Sequence, residues 1–195
     1  MPSRALGIWV GEQAAELDEL LDVHEAVGGT GPGRRYTTTQ VNHAYLMAVA
    51  AQFQGFCRNL HSEASDFVVS VVEPAAFQNL VSAALTQGRQ LDRGNATGSS
   101  IGADFGRFDM AVWDDVYALS ARNRARRTNL DQLIAWRNSI AHRSELSKQN
   151  KALVAGTTPT LKYVRRWRAA CDQLAQALDV AVGDHLEALA GDRPW

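Results

Sequence analysis

Residues 158–190, TPTLKYVRRWRAACDQLAQALDVAVGDHLEALA, decide the fold. Thr158 and Pro159 read as the opening of a helix. Leu161, Val164, Trp167, Cys171, Leu174, Leu178, Val182, His185 and Leu189 then recur about every 3.5 residues, the spacing of a packing seam along one helical face. A helix this long with a continuous apolar seam needs other helices to cover it.

Those helices are legible upstream. Leu6, Trp9, Val10, Gln13, Leu17, Leu20 and Leu21 recur at three- and four-residue steps, and Gly28-Gly29 ends that segment in a GGTGPGRR loop. Thr37 and Gln40 read as a capping box for a second helix. Its apolar face is Val41, Tyr45, Val49, Phe53, Phe56 and Leu60, and it is predicted to run to about Val72 before Pro74 interrupts it. Pro74 suits the first turn of a third helix through Leu85. Residues 88–104, rich in Gly and Ser, read as a loop, either a connection or a substrate-facing flap. A short helical stretch spans residues 105–123. Its adjacent Asp114 and Asp115 point to different sides of a helix, so they make a poor acid/base or metal pair. Thr128 and Asp131 read as a capping box for a helix to about Ala141. No strand alternation or internal repeat appears, so the expectation is an all-α bundle with a long C-terminal helix, one domain over residues 1–195.

Composition bounds the function. The chain has 195 residues, 46% hydrophobic and 21% charged, enough to bury a core without staples. Two cysteines, Cys57 and Cys171, lie in no metal-ligand or disulfide-framework spacing, which points to a reducing cytosol and no structural metal. The N-terminus lacks a signal-peptide pattern, and the longest apolar run, Ala44 to Ala51, is too short to span a bilayer. The net charge of −1 conceals a segregation. Residues 1–30 carry one base, Arg4, against six acids, whereas residues 120–170 carry twelve Lys and Arg against only Asp131 and Glu145. So basic a block suits a phosphate-bearing ligand such as RNA; the other reading is a solvated face, or an intramolecular match to the acidic first helix.

One residue breaks the apolar pattern. In the helix from Thr128 the stripe is Leu130, Leu133, Ile134, Ile140 and Ala141, and helical spacing puts Arg137 in its middle. A guanidinium there is costly unless it is paired, faces a polar cavity or meets a second subunit. Asn138 is beside it, and His142 follows five residues on. Arg and His can divide phosphoryl chemistry: Arg offers a fixed cationic fork to phosphate oxygens, and an imidazole exchanges protons near neutrality. The structural reading, a carboxylate-paired Arg137 and a helix-capping His142, stays open.

The run Leu130-Asp131-Gln132-Leu133-Ile134-Ala135-Trp136-Arg137-Asn138-Ser139-Ile140-Ala141-His142 resembles the signature helix of the HEPN superfamily, whose mark is an Arg, usually followed by a polar residue such as Asn, and a His after four to six positions. No other His in the chain has an Arg five to seven residues before it. The helix with Phe53-Gln54-Gly55-Phe56 is similar to an aromatic helix of a HEPN branch of RNA-repair and stress systems, with Gln54 where that branch often has Glu. The resemblance implies an all-α HEPN bundle and a metal-independent endoribonuclease without cofactor. Such an enzyme acts as a toxin or defence effector, with its site composite across a homodimer and, for a toxin, a cognate antitoxin protein as partner. Arg137, His142 and Asn138 are then the catalytic candidates. Arg126, Arg127, Arg143, Lys162 and Arg166 are candidates for holding the RNA backbone, and Tyr163 and Trp167 could stack bases, although the place of Trp167 on the apolar seam suits the core better. Two further readings are a non-catalytic HEPN module that binds RNA, a nucleotide or a protein, and a helical interaction protein in which RNSIAH is structural.

Overall fold

The computed structural model describes residues 1–28 and 36–195. Among them every regular element is helical. Helix α1 (Arg4–Ile8) continues through a single π-turn at Trp9–Gln13 into α2 (Ala14–Gly28). Helix α3 spans Tyr36–Ser70, α4 Gln78–Thr86, α5 Gln90–Arg93, α6 Gly98–Phe105, α7 Val112–Leu119, α8 Asn123–His142, α9 Lys148–Leu153 and α10 Leu161–Ala190. The GGTGPGRR loop from residue 29 on lies outside the described residues. Thr37 is already inside α3, so it is not the cap of that helix.

The expected seam organises the molecule. α10 packs on α8 along one side and on α3 along another, and α2 packs on α3. Val164, Trp167, Cys171, Leu174, Leu178 and Val182 are buried, whereas Leu189, at the end of the series, is exposed. Both cysteines are buried and free. Phe53 and Phe56 of α3 sit against Trp9 at ring-centroid distances of 5.6 and 6.0 Å, so the aromatic face of α3 holds the π-turn in place.

Three expectations need correction. Residues 88–104 are not a loop: they form α5 and α6, with Leu91, Ala96 and Ile101 fully buried. Their Gly and Ser content hid this because the groups that order them come from elsewhere. Asp104 accepts the backbone N–H of Gln90 (2.9 Å) and Leu91 (2.8 Å), and Asp131 of α8 accepts the N–H of Gly98 (2.9 Å). Nor does α8 begin at Thr128. It starts five residues earlier, with Thr128 in its interior donating to the Arg124 carbonyl and Asp131 capping α6 instead. Finally, α9 has no apolar periodicity and was not expected. Its N-terminus is capped by Ser147, and Gln132 of α8 ties its end down by donating to the Leu153 carbonyl.

The acidic first helix is spent partly inside the molecule. Asp18 pairs with Arg168 at 2.6 Å and Glu25 with Arg165 at 3.2 Å, so the two charge blocks meet where α2 lies beside the start of α10. The exposed Glu25–Arg165 pair adds little stability. Arg168 is largely covered and also donates to the Tyr45 hydroxyl and the Ala14 carbonyl, so it is withdrawn from any external anion surface.

A buried polar knot supports α5 and α6. The His61 Nε2–H donates to the Asp104 carbonyl at 3.0 Å, and Nδ1 faces the Arg89 guanidinium at 3.4 Å. Burial, with Arg89 adding to it, holds the imidazole pKa down to about 4 from 6.5. Above pH 6.5 the ring is neutral in both folded and unfolded chains; between 6.5 and 4 only the unfolded chain takes up the proton. Stability is therefore expected to fall as pH drops through that window, by up to about 3 kcal/mol. Denaturant unfolding from pH 7 to 4 checks it: His61→Gln should flatten this part of the profile, and an identical slope in both proteins contradicts the assignment.

Candidate active site

The last two turns of α8 carry the candidates. The core stripe of α8 is Leu130, Leu133 and Ile134, all buried, and Arg137 continues it by helical register. The helix leaves the core there. Arg137 and Ile140 are half-buried, and Ala141 and His142 are exposed, so the expected apolar stripe ends before Ala141. Arg137 thus stands at the edge of the core with its guanidinium reachable from solvent. It has no carboxylate partner among the described residues. Its one side-chain hydrogen bond among the described residues runs from Nη1 to the Asn138 Oδ1 at 3.3 Å.

Asn138 is the junction of the site. Its Oδ1 also accepts from Asn95 Nδ2 at 2.8 Å. A guanidinium can only donate, so this contact fixes which end of the Asn138 amide faces Arg137 and leaves Nδ2 with two hydrogens for a ligand oxygen. His142 lies four residues on, one turn beyond Asn138 on the same face of α8, while Arg137 is rotated about 100° away. Asn138 therefore links the cation to the face that carries the imidazole. His142 makes no side-chain hydrogen bond among the described residues and is held only by its backbone. Arg143 closes α8 in the left-handed region at φ 49°, its N–H bonded toward Ile140 and Ser139. Glycine is the residue best suited to that conformation, so an arginine there carries a modest backbone cost.

Asn95 escaped the sequence reading. It sits between α5 and α6, in the stretch read as a loop, and only the order imposed by Asp104 and Asp131 brings it to α8. The Gln54 side chain donates to the Leu91 carbonyl at 2.9 Å, so Gln54 braces the same segment and makes no hydrogen bond to Arg137 or Asn138.

The proposed backbone-binding cations are dispersed. Arg126 is engaged within the fold, donating to Asn123 (2.7 Å) and to Gln173 of α10 (3.0 Å). Arg127 lies over the Trp113 ring, 4.7 Å from its centroid, and donates to the Tyr117 hydroxyl at 2.9 Å. Arg143 lines a separate depression of about 670 Å³, with Gln40, His43 and Trp136, on another side of α8 from Asn138. Lys162 and Arg166 are exposed on the first turns of α10. Positive charge in the sequence does not say which guanidiniums are held by aromatic rings and amides. Of the five, Arg127 shares a depression with Asn138 and Asp131, an open one of about 560 Å³ between α6, α8 and α9. Trp167 is fully in the core and so is not presented for stacking, whereas Tyr163 is half-buried and its hydroxyl donates to the Gly156 carbonyl at 2.6 Å.

Gly98 packs against the Arg127 guanidinium. A methyl group at residue 98 would overlap it, so Arg127 must shift and loosen its contacts with Trp113 and Tyr117. Because the end of a flexible side chain can give way, Gly98→Ala is expected to cost about 1 kcal/mol, the low end for an overpacked site. Thermal unfolding checks this, and an unchanged midpoint contradicts the packing described.

Among the described residues no three His, Cys, Asp or Glu converge as a metal-ligand group, and no helix is long and apolar enough to cross a membrane. No family model, curated protein or solved structure matches the chain.

Proposed function

We propose that the chain is a HEPN-type endoribonuclease that cleaves RNA through the substrate's own 2′-OH without a metal ion, acting as a toxin or defence effector. The observation that carries the reading is Arg137. It is a half-buried guanidinium with no carboxylate partner among the described residues, joined through Asn138 to the helix face that ends in an exposed His142. A structural arginine on a core stripe would be expected in an ion pair; this one is left with donors to spare.

The chemistry follows from those three side chains. His142 removes the 2′-OH proton, the 2′-oxygen bonds to the adjacent phosphorus, and the bond from phosphorus to the 5′-oxygen breaks. A protonated imidazole delivers the proton that the leaving oxygen needs; in a two-fold dimer it is the same residue of the second copy. Arg137 and the Asn138 Nδ2–H stabilise the charge that grows on the non-bridging oxygens. The products are a 2′,3′-cyclic phosphate and a 5′-hydroxyl, and no water is consumed. A homodimer that apposes two α8 ends would cover the apolar edge beside Arg137 and supply the second imidazole. A toxin with this site would be silenced by an antitoxin protein seated over the α8 terminus.

The test is a single-atom change in substrate. An RNA oligonucleotide cleaved at one position should become resistant when that nucleotide alone is 2′-deoxy, with cleavage elsewhere unaffected. Cutting of the substituted position at the original rate overturns the mechanism.

A further inference from the structure

The depression between α6, α8 and α9 adds a ligand-recognition element to this site, an inference that rests on the ribonuclease reading. Its volume, about 560 Å³, is that of a small-molecule site. Ile134, Ala135 and Leu153 give it apolar lining, and Asp131, Gln149 and Asn150 give it polar groups. It begins at Asn138, the residue bonded to Arg137, so it opens beside the place where the scissile phosphate would lie.

The polar groups tell what would fit. Two of the leading amides of α6 on its wall are already used, Gly98 N–H by Asp131 Oδ1 and Ser100 N–H by Thr97 Oγ1. Arg127 is turned onto Trp113 and Tyr117. Away from the Asn138 amide at its rim, a phosphate would therefore face the Asp131 carboxylate without a guanidinium turned toward it. The Gln149 and Asn150 side-chain amides, by contrast, make no hydrogen bond among the described residues, and Asp131 Oδ2 accepts none. Together they present both donors and acceptors above an apolar surface, the chemistry that reads the edge of an unstacked nucleobase.

We propose that this depression receives the base of a nucleotide flanking the scissile phosphate. Asp131 Oδ2 accepts from an exocyclic amine, and the Gln149 and Asn150 amides read the remaining edge. Adenine, cytosine and guanine carry such an amine and uracil does not, so uracil is disfavoured at that position.

Two experiments on the full chain separate this proposal from the activity it rests on. In the first, the ends produced from a random-sequence RNA pool are sequenced for wild type, Asn150→Ala and Asp131→Asn. Asp131→Asn keeps an oxygen for Gly98 but can present a donor in place of the free acceptor. Wild type should deplete uracil at one flanking position, Asn150→Ala should weaken the bias, and Asp131→Asn should relieve the discrimination against uracil. In the second, NMR titration follows binding of RNA trinucleotides that carry 2′-deoxy at the cleavage position, with an abasic residue placed in turn on either side. Loss of the flanking base on one side should weaken binding about 10-fold, equivalent to about 1.4 kcal/mol, and abolish shifts of the Gln149 and Asn150 side-chain amides. Equal binding of abasic and base-bearing strands, or end profiles unchanged by both substitutions, overturns the subsite. Base-dependent binding without any cleavage keeps the subsite and refutes the nuclease; cleavage without base preference does the reverse.

Discussion

His142→Ala is expected to lower RNA cleavage by about 10²–10⁴-fold, the range for losing a general acid or base. If each dimer site uses two imidazoles, the substitution removes both proton-transfer groups, which places the loss toward the upper end. The fold should not notice. His142 is exposed on the last turn of α8, its ring makes no hydrogen bond among the described residues, and the turn is closed by the Arg143 backbone. Activity must therefore fall while the unfolding midpoint stays put. That combination separates chemistry from stability, and it also yields a cellular readout: if the protein is a toxin, wild type should arrest growth on expression and His142→Ala should not. A variant that retains cleavage within a factor of two ends the proposed role.

Arg137→Ala should cost about 10²–10³-fold in cleavage, the loss expected when one donor to a developing oxyanion is removed. Arg137→Lys should recover little, because an ammonium on a flexible stem cannot reproduce a planar fork that meets Asn138 and two phosphate oxygens at once. Thermal unfolding again distinguishes the readings. Arg137 has no carboxylate partner among the described residues, so truncation leaves no buried counter-charge behind and should shift stability by less than about 1 kcal/mol. A large loss of stability with proportionate loss of activity would instead mark Arg137 as structural. The rate comparison should use saturating RNA, since a fall in affinity alone would assign Arg137 to ground-state binding.

The bundle was legible because its information is local. Helical periodicity in residues 161–189 and 41–60 specified which faces are apolar, and the structure buries those faces from Val164 to Val182 and from Tyr45 to Leu60. The connections were less legible because their order is not local. α6 begins at Gly98 through a carboxylate 33 residues away, and Gln90 and Leu91 depend on Asp104, 14 and 13 residues on; neither link falls within one or two helical turns, where capping patterns are read. The basic block shows the same limit in charge. Composition registered twelve cations, but Asp18 and Glu25 reach Arg168 and Arg165 only after α2 folds against α10, and Arg127 is claimed by Trp113 from another helix. Within the candidate site, Arg137, Asn138 and His142 lie in one helix and could be named from their spacing. Asn95 could not, since nothing near it in sequence signals that its amide meets Asn138 across 43 residues.

The ends left by the reaction decide the mechanism. End-labelled RNA should be digested in EDTA by wild type and, in parallel, by His142→Ala, and the termini identified by mass spectrometry. Attack by the 2′-OH leaves 2′,3′-cyclic phosphate and 5′-hydroxyl ends from wild type, unaffected by chelation, and intact RNA from the variant. Cleavage by His142→Ala at the wild-type rate, loss of activity in EDTA, or 5′-phosphate ends would contradict this mechanism.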